Sequence, residues 1–300
     1  MMKLSGLHFL ISYQCTHECD HCFAWGSPRQ RGTMSFAQIR DLLEEAREMG
    51  GVESVYFEGG EPFLFHPVLV NSVKLASEMG FSVGVVSNAY WATTLEDALA
   101  WLSPFADALA DLSISSDHFH LGQKDRTRIS HAEEAARLLD IPLAKISIAD
   151  PNEAEGRKGM LPEGESAVMY RGRAVETLAP AAPKRPWTEF RNCPHENLKD
   201  PGRLHVDALG NLHVCQGLSV GNVTEKPLAK ICEDYRPAED PVLGALLRGG
   251  PAELARDLSF EMQKEYADAC HLCYETRRAM QSRFPQTLAP PAMYGDLSWE

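Results

Sequence analysis

Three cysteines, Cys15, Cys19 and Cys22, stand close together near the start of the chain, separated by three and then two residues. Thiolates are soft ligands that suit iron–sulfur clusters or zinc. A cubane cluster normally takes four cysteines. A loop that offers three leaves one metal position open, and an open position is where a ligand can bind and react. The competing reading of the same spacing is a zinc site completed by His17 or His21.

A second set of cysteines lies far downstream: Cys193, Cys215, Cys232, Cys270 and Cys273, the last two as C-x2-C. Clusters of this kind in a chain with no secretory signal point to metal rather than to disulfides. The segment "RLHVDALGNLHVC" reads as a hairpin around a Gly-Asn turn that ends in Cys215. Such a hairpin, an upstream cysteine and a distant C-x2-C can converge on one four-thiolate site. A structural zinc ribbon has the same parts.

The elements that must carry these residues alternate in type over 6–178. Strands are expected at Leu7–Ser12, Val52–Phe57, Phe81–Ser87, Leu109–Ile114, Leu143–Ala149 and Ala167–Tyr170. Helices are expected at Ser35–Met49, Pro67–Met79, Thr94–Leu102 and Ser130–Leu139. Ser35 with Gln38, and Ser130 with Glu133, have the form of capping boxes, and Met34 with Ile39 that of a hydrophobic staple. Six strands with helical crossovers imply a parallel α/β sheet, open or curled into a partial barrel. The polar runs "CTHECDHC", "EGGEP", "SNAYW" and "SSDHFH" each follow the C-terminal end of a strand. That is the edge where parallel α/β folds bind ligands, so four loops are expected to share one site.

"CTHECDHC" followed by "GGEP" at Gly59–Pro62 resembles the radical S-adenosylmethionine (SAM) superfamily. That family places C-x3-C-x2-C after the first strand of a partial (β/α)6 barrel and the glycine motif after the second. His21 stands where the family often has an aromatic residue. The resemblance implies that Cys15, Cys19 and Cys22 hold a [4Fe–4S] cluster whose open iron binds the methionyl group of SAM. It further implies reductive cleavage to a 5′-deoxyadenosyl radical that takes hydrogen from a substrate. Gly59, Gly60, Glu61 and Pro62 would then meet SAM, with Glu61 accepting from its ammonium group. Ser87 and Asn88 after the third strand, and Ser115 and Asp117 after the fourth, would contact it too. Asp117 is also a candidate catalytic residue, or else a loop cap. Arg128 is the candidate for the SAM carboxylate, beside Arg126 and Lys145. His118 and His120 read as packed or solvated residues, with proton transfer as the alternative.

The downstream cysteines resemble the twitch form of the SPASM domain, together with "GRA" at Gly172–Ala174 and "GN" at Gly221-Asn222. This implies one auxiliary [4Fe–4S] cluster on Cys193, Cys215, Cys270 and Cys273. Cys232 is left over, as a buried apolar residue, a ligand, or a hydrogen-atom donor to a substrate radical. The expected division is 1–178 for the barrel, 179–192 for a linker, 193–284 for the twitch-like domain of hairpin plus helices, and 285–300 for a tail.

The 300 residues carry a net charge of −13, which disfavours phosphate backbones and so nucleic acid as a main partner. No apolar run approaches a membrane span, and a cytoplasmic enzyme is the expectation. The leading reading is modification of a peptide (epimerisation, dehydrogenation or cross-linking), as in the relatives that the resemblance brings. A reductant such as flavodoxin or ferredoxin is implied, and a separate peptide-recognition protein is a candidate partner. The alternatives are a dehydrogenase acting on a sugar or aminocyclitol, and a non-catalytic electron carrier or scaffold.

Overall fold

The computed structural model describes residues 2–121, 126–150 and 165–296. They form two compact units: one of Ser5–Cys19 and Gly26–Val168, the other of Met1–Leu4, Asp20–Trp25 and Met169–Glu300. Residues 169–178, expected at the end of the barrel, pack with the second unit.

The first unit holds five parallel strands. They are β1 (Gly6–Ser12), β2 (Ser54–Gly59), β3 (Ser82–Ser87), β4 (Asp111–Ser115) and β5 (Leu143–Ile146). They pair in sequence order, β1 with β2, β2 with β3, and so on to β5. Sequential parallel order belongs to (β/α) barrels, whereas a doubly wound sheet reverses direction part-way. The interposed helices are α1 (Phe36–Met49), α2 (His66–Glu78), α3 (Leu95–Leu102), the short α4 (His118–Leu121) and α5 (Thr127–Leu138). In β1 every residue but His8 is buried, as a strand covered on both faces requires.

The capping box of α1 forms as the sequence predicts, with Ser35 and Gln38 bonding reciprocally. The second expected box does not form. Helix α5 starts three residues earlier, and the Ser130 hydroxyl bonds back to the Arg126 carbonyl at 3.2 Å from inside the helix. The expected strand at Ala167–Tyr170 is also absent. A single bridge joins Ile148 to Ser166, and the chain then turns, with the Arg171 amide donating to the Met169 carbonyl. Most of the Pro- and Gly-rich stretch 150–165 lies outside the described residues.

The second unit contains α6 (Ala174–Thr177), a two-residue pair of β6 (Arg185–Pro186) with β10 (Glu265–Tyr266), and the antiparallel meander β7 (Arg203–Val206), β8 (Asn211–Cys215) and β9 (Leu218–Asn222). Gly210 turns the expected hairpin at φ +85°. Helices α7 (Leu228–Asp234), α8 (Pro241–Asp257) and α9 (Ala269–Met280) follow. Helix α8 is broken at Gly249 and Gly250, ahead of Pro251. Phe190, Ala255, Tyr266, Ala269 and Leu272 form a core cluster of this unit.

Candidate active site

The loop that carries the three cysteines leaves β1 directly, and the "EGGEP" loop is stitched to its root. The Gly60 amide donates to the Ser12 carbonyl at 2.7 Å and the Glu61 amide to the Gln14 carbonyl at 2.9 Å. These bonds continue the β1–β2 ladder beyond the strands. A β-carbon on Gly60 would lie 2.1 Å from the Gln14 carbonyl oxygen, and one on Gly59, at φ +133°, would lie 2.5 Å from that of Ser12. The glycines thus admit backbone against backbone, one residue before Cys15.

Glu61 caps the short 3₁₀ turn Pro62–Phe65, with proline at its first position, where its missing N–H costs nothing. The Glu61 side chain is fully buried. Its Oε1 accepts from the Phe63 amide (3.1 Å) and the Ser87 hydroxyl (3.0 Å), and its Oε2 accepts from the Asn88 amide (2.8 Å). Burial pushes the carboxyl up to about 7, against the pull of these three donors. The residue expected to meet an ammonium group therefore also ties the loop after β2 to the loop after β3.

Ser87 ends β3 and Asn88 opens that second loop. The Ser87 hydroxyl accepts from the Trp91 indole at 2.9 Å and from the Ala89 amide at 3.1 Å. Asn88 reaches the cysteine loop, with Nδ2 donating to Thr16 Oγ1 at 3.0 Å and lying 3.5 Å from Cys15 Sγ. The His17 amide lies 3.4 Å from the same sulfur. Two N–H groups aimed at one thiol suit a sulfur that carries charge. Cys15 and Cys19 are buried, and Cys22 is half-buried.

Ser115, the last residue of β4, is buried, and so is Asp117 just beyond it. The Asp117 carboxylate accepts from the His120 amide and pairs with His120 Nδ1 at 2.8 Å. Its other oxygen accepts from the Ile148 amide at 3.2 Å, joining the loops after β4 and β5. Among the candidate cations, Lys145 pairs with Glu133 at 3.0 Å on the exposed side, and Arg126 is exposed at the start of α5. Arg128 is half-buried. Burial lowers the pKa of His17, and the charges of His120 and Arg128 lower it further. Of the three cations, Arg128 is the one felt at the cysteine loop. His118 lies 3.4 Å from Asp150.

In the second unit, Cys193, Cys215, Cys270 and Cys273 all line one small cavity of about 30 Å³, together with Arg171, Arg277 and apolar residues such as Leu218 and Leu246. The hairpin supplies Cys215, and the first turns of α9 supply Cys270 and Cys273, with Asp268 as N-cap. Burial pushes the Cys273 thiol up to about 11 and Cys270 well above its ordinary value. Arg171 Nη1 donates to Cys215 Sγ at 3.2 Å. The Nε atoms of Arg171 and Arg277 are buried with no hydrogen-bond partner, at a cost of about 1–3 kcal/mol each unless an acceptor meets them. Soft donors around a hollow flanked by two guanidiniums fit an anionic thiolate–metal group.

Cys232 sits on α7, is buried, and does not line this cavity. Burial pushes its thiol up to about 11. The "GRA" motif has a local role. Gly172, at φ +61°, lies where a β-carbon would be 2.5 Å from the Cys22 carbonyl oxygen, and the Arg173 amide donates to that oxygen at 2.9 Å. Neither Arg171 nor Arg277 is among the residues that the sequence singles out. Arg277 stands four residues after Cys273 on one helix face, which is a readable signal. Arg171 has none beyond its adjacency to "GRA".

Residues 9–141 match the model of the Radical SAM superfamily. YydG of Bacillus subtilis, named for peptide biosynthesis, is 25% identical over 37% of this chain and 35% of its own length. An S-adenosylmethionine-dependent nucleotide dehydratase of Fibrobacter sp. is 24% identical over 39% of this chain and 35% of its own length. The chain thus matches about a third of the length of these relatives. BtrN, solved with AdoMet and 2-DOIA, superposes with a TM-score of 0.50 at 16% identity, covering 78% of this chain and 84% of BtrN. Native anSMEcpe with bound AdoMet gives 0.50 at 13% identity, covering 94% and 97%. These two share the fold. Among the described residues, no helix is long and apolar enough to cross a membrane.

Proposed function

We propose that this chain is a radical SAM enzyme in which Cys15, Cys19 and Cys22 hold a [4Fe–4S] cluster and the loops after β2, β3 and β4 bind SAM. When bound, the cluster and SAM supply a 5′-deoxyadenosyl radical that abstracts hydrogen from a substrate. The protein's share is binding, orientation and exclusion of side reactions. The observation that carries this reading is the stitching of "GGEP" to the root of the cysteine loop, within a stretch that matches the model of this superfamily. Glu61 orders the loops after β2 and β3, and its carboxylate retains a lone-pair site for a further donor. Asn88 and the His17 amide steady charge on Cys15. Asp117 acts here as a loop pin, and in this reading Arg128, whose charge is felt at His17, would meet the SAM carboxylate.

Cys193, Cys215, Cys270 and Cys273 hold one auxiliary [4Fe–4S] cluster in this reading. The substrate class proposed is a peptide, supported by the name of YydG. A small molecule is the second reading, favoured by the nucleotide dehydratase among the relatives.

Anaerobic reconstitution with iron and sulfide, followed by SAM and dithionite, is the test. The expected result is about eight irons per chain and formation of 5′-deoxyadenosine, abolished by Cys19→Ala. Clusters that load fully but never yield 5′-deoxyadenosine, with or without substrate candidates, would overturn it. Deuterium transfer from labelled peptides or nucleotides into 5′-deoxyadenosine separates the two substrate classes.

A further inference from the structure

We propose that Arg171 and Arg277 are the built-in counter-charges of the four-cysteine centre and raise its reduction potential. The inference rests on the auxiliary-cluster reading above. Both guanidiniums line the cavity with the four cysteines. Both are buried, and arginine stays charged under all ordinary conditions. Arg171 Nη1 donates to Cys215 Sγ at 3.2 Å, and its guanidinium lies 5.4 Å from the centre of the Phe23 ring, the residue after Cys22. Its nearest carboxylate, Glu196, stands 3.9 Å away and is shared with the exposed Arg203 at 3.8 Å. Arg277 donates to the Gln216 carbonyl at 3.1 Å and lies over the Tyr274 and Tyr294 rings, none of which carries a compensating charge.

A buried cation persists only where something negative pairs with it. Four thiolates around a dicationic core carry about two net negative charges, which two guanidiniums match. Asp268, whose charge is felt at Cys270, adds negative charge and increases the need for them. Reduction adds one more electron to the same buried volume. Nearby fixed positive charge stabilises the reduced form more than the oxidised one, and hydrogen bonds to the sulfurs act in the same direction. The arginines therefore act through the centre as positioning residues and make it an electron acceptor.

The test uses the full chain with Cys15→Ala, Cys19→Ala and Cys22→Ala, so that the second centre alone remains. Iron and zinc content and the midpoint potential, followed by electron paramagnetic resonance, are read in this parent and in Arg171→Gln, Arg171→Lys and Arg277→Lys. In Arg171→Gln the reduced-to-oxidised ratio at a fixed potential should fall about tenfold, equivalent to about 59 mV for one electron. Arg171→Lys should recover part of that shift, because the charge stays and the fork is lost. A fully loaded Arg171→Gln with the parent's potential overturns the inference. Should Arg171→Gln fail to load, Arg277→Gln takes its place, and a loaded Arg277→Gln with the parent's potential overturns the inference equally. A parent that holds zinc, or no redox-active centre, overturns the auxiliary-cluster reading itself, an outcome distinct from an active centre with an unmoved potential.

Discussion

Replacing Glu61 by glutamine should change the pH dependence of folding in a direction fixed by burial. The Glu61 carboxyl is pushed from 4.5 up to about 7 in the folded chain. Between those two values the folded state binds a proton that the unfolded state has released. Stability from this group is therefore fully present below pH 4.5 and is lost as pH rises through 7. That difference corresponds to about 3 kcal/mol. Glutamine does not titrate, so its contribution is flat. Its amide oxygen can keep the Phe63 amide and Ser87 hydroxyl, but its NH₂ would face the Asn88 amide, now 2.8 Å from Oε2. A protonated glutamic acid still has acceptor lone pairs on both oxygens, so the variant should be the less stable of the two at pH 4.5. By pH 8 the variant should gain about 3 kcal/mol relative to the parent chain. Urea denaturation of both proteins at half-unit pH steps measures the difference, and titrations elsewhere in the chain cancel. Parallel curves would refute the reasoning. A gain by the parent chain with rising pH would show that the three donors outweigh burial.

Gly60→Ala should cost about 2–5 kcal/mol, from a β-carbon 2.1 Å from the Gln14 carbonyl oxygen and the loss of two ladder bonds. A melting temperature within about 2 °C of the parent would contradict this. Asn88→Ala should lower the potential of the cluster on Cys15, Cys19 and Cys22 by removing an N–H from the Cys15 sulfur. Redox titration of the reconstituted protein reads the shift, and an unchanged potential argues that the contact is only structural. Asp117→Ala leaves the Ile148 amide without its acceptor. Hydrogen exchange at that amide should speed up roughly tenfold, while exchange within β2 stays as it was.

The alternation of strands and helices was legible because each parallel strand is a short apolar run closed by polar residues, and because α1 announces itself through Ser35 and Gln38. The start of α5 was not legible. Ser130 and Glu133 have the pattern of a cap, but the pattern cannot tell a first turn from a second, and the helix begins at Thr127 on Arg126 with no side-chain cap. The short apolar run Ala167–Tyr170 invited a strand, yet a turn at Met169–Arg171 wins over its local preference. Strand propensity is a weak prior wherever the partner strand is not known.

The site divides along the same line. Cysteine spacing points to metal binding, since few other roles bring so many thiols together, but it does not choose between a cluster and zinc. The roles of the other motif residues depend on contacts distant in sequence. Gly59 and Gly60 read as places where a ligand could approach the backbone, but the backbone that approaches is the Ser12–Gln14 segment. Glu61 read as a partner for an ammonium group, but its first task is to bind Phe63, Ser87 and Asn88. The two readings are compatible in physical terms. A carboxylate and a pair of glycines that fix the root of the cysteine loop also fix where Cys15 can stand, and a metal corner is useful only if the loops around it hold still. A motif of this kind is selected by the packing between loops as much as by the ligand, so substitutions that spare every ligand-facing atom but disturb Gln14 or Ser12 should be as damaging as the loss of a ligand contact.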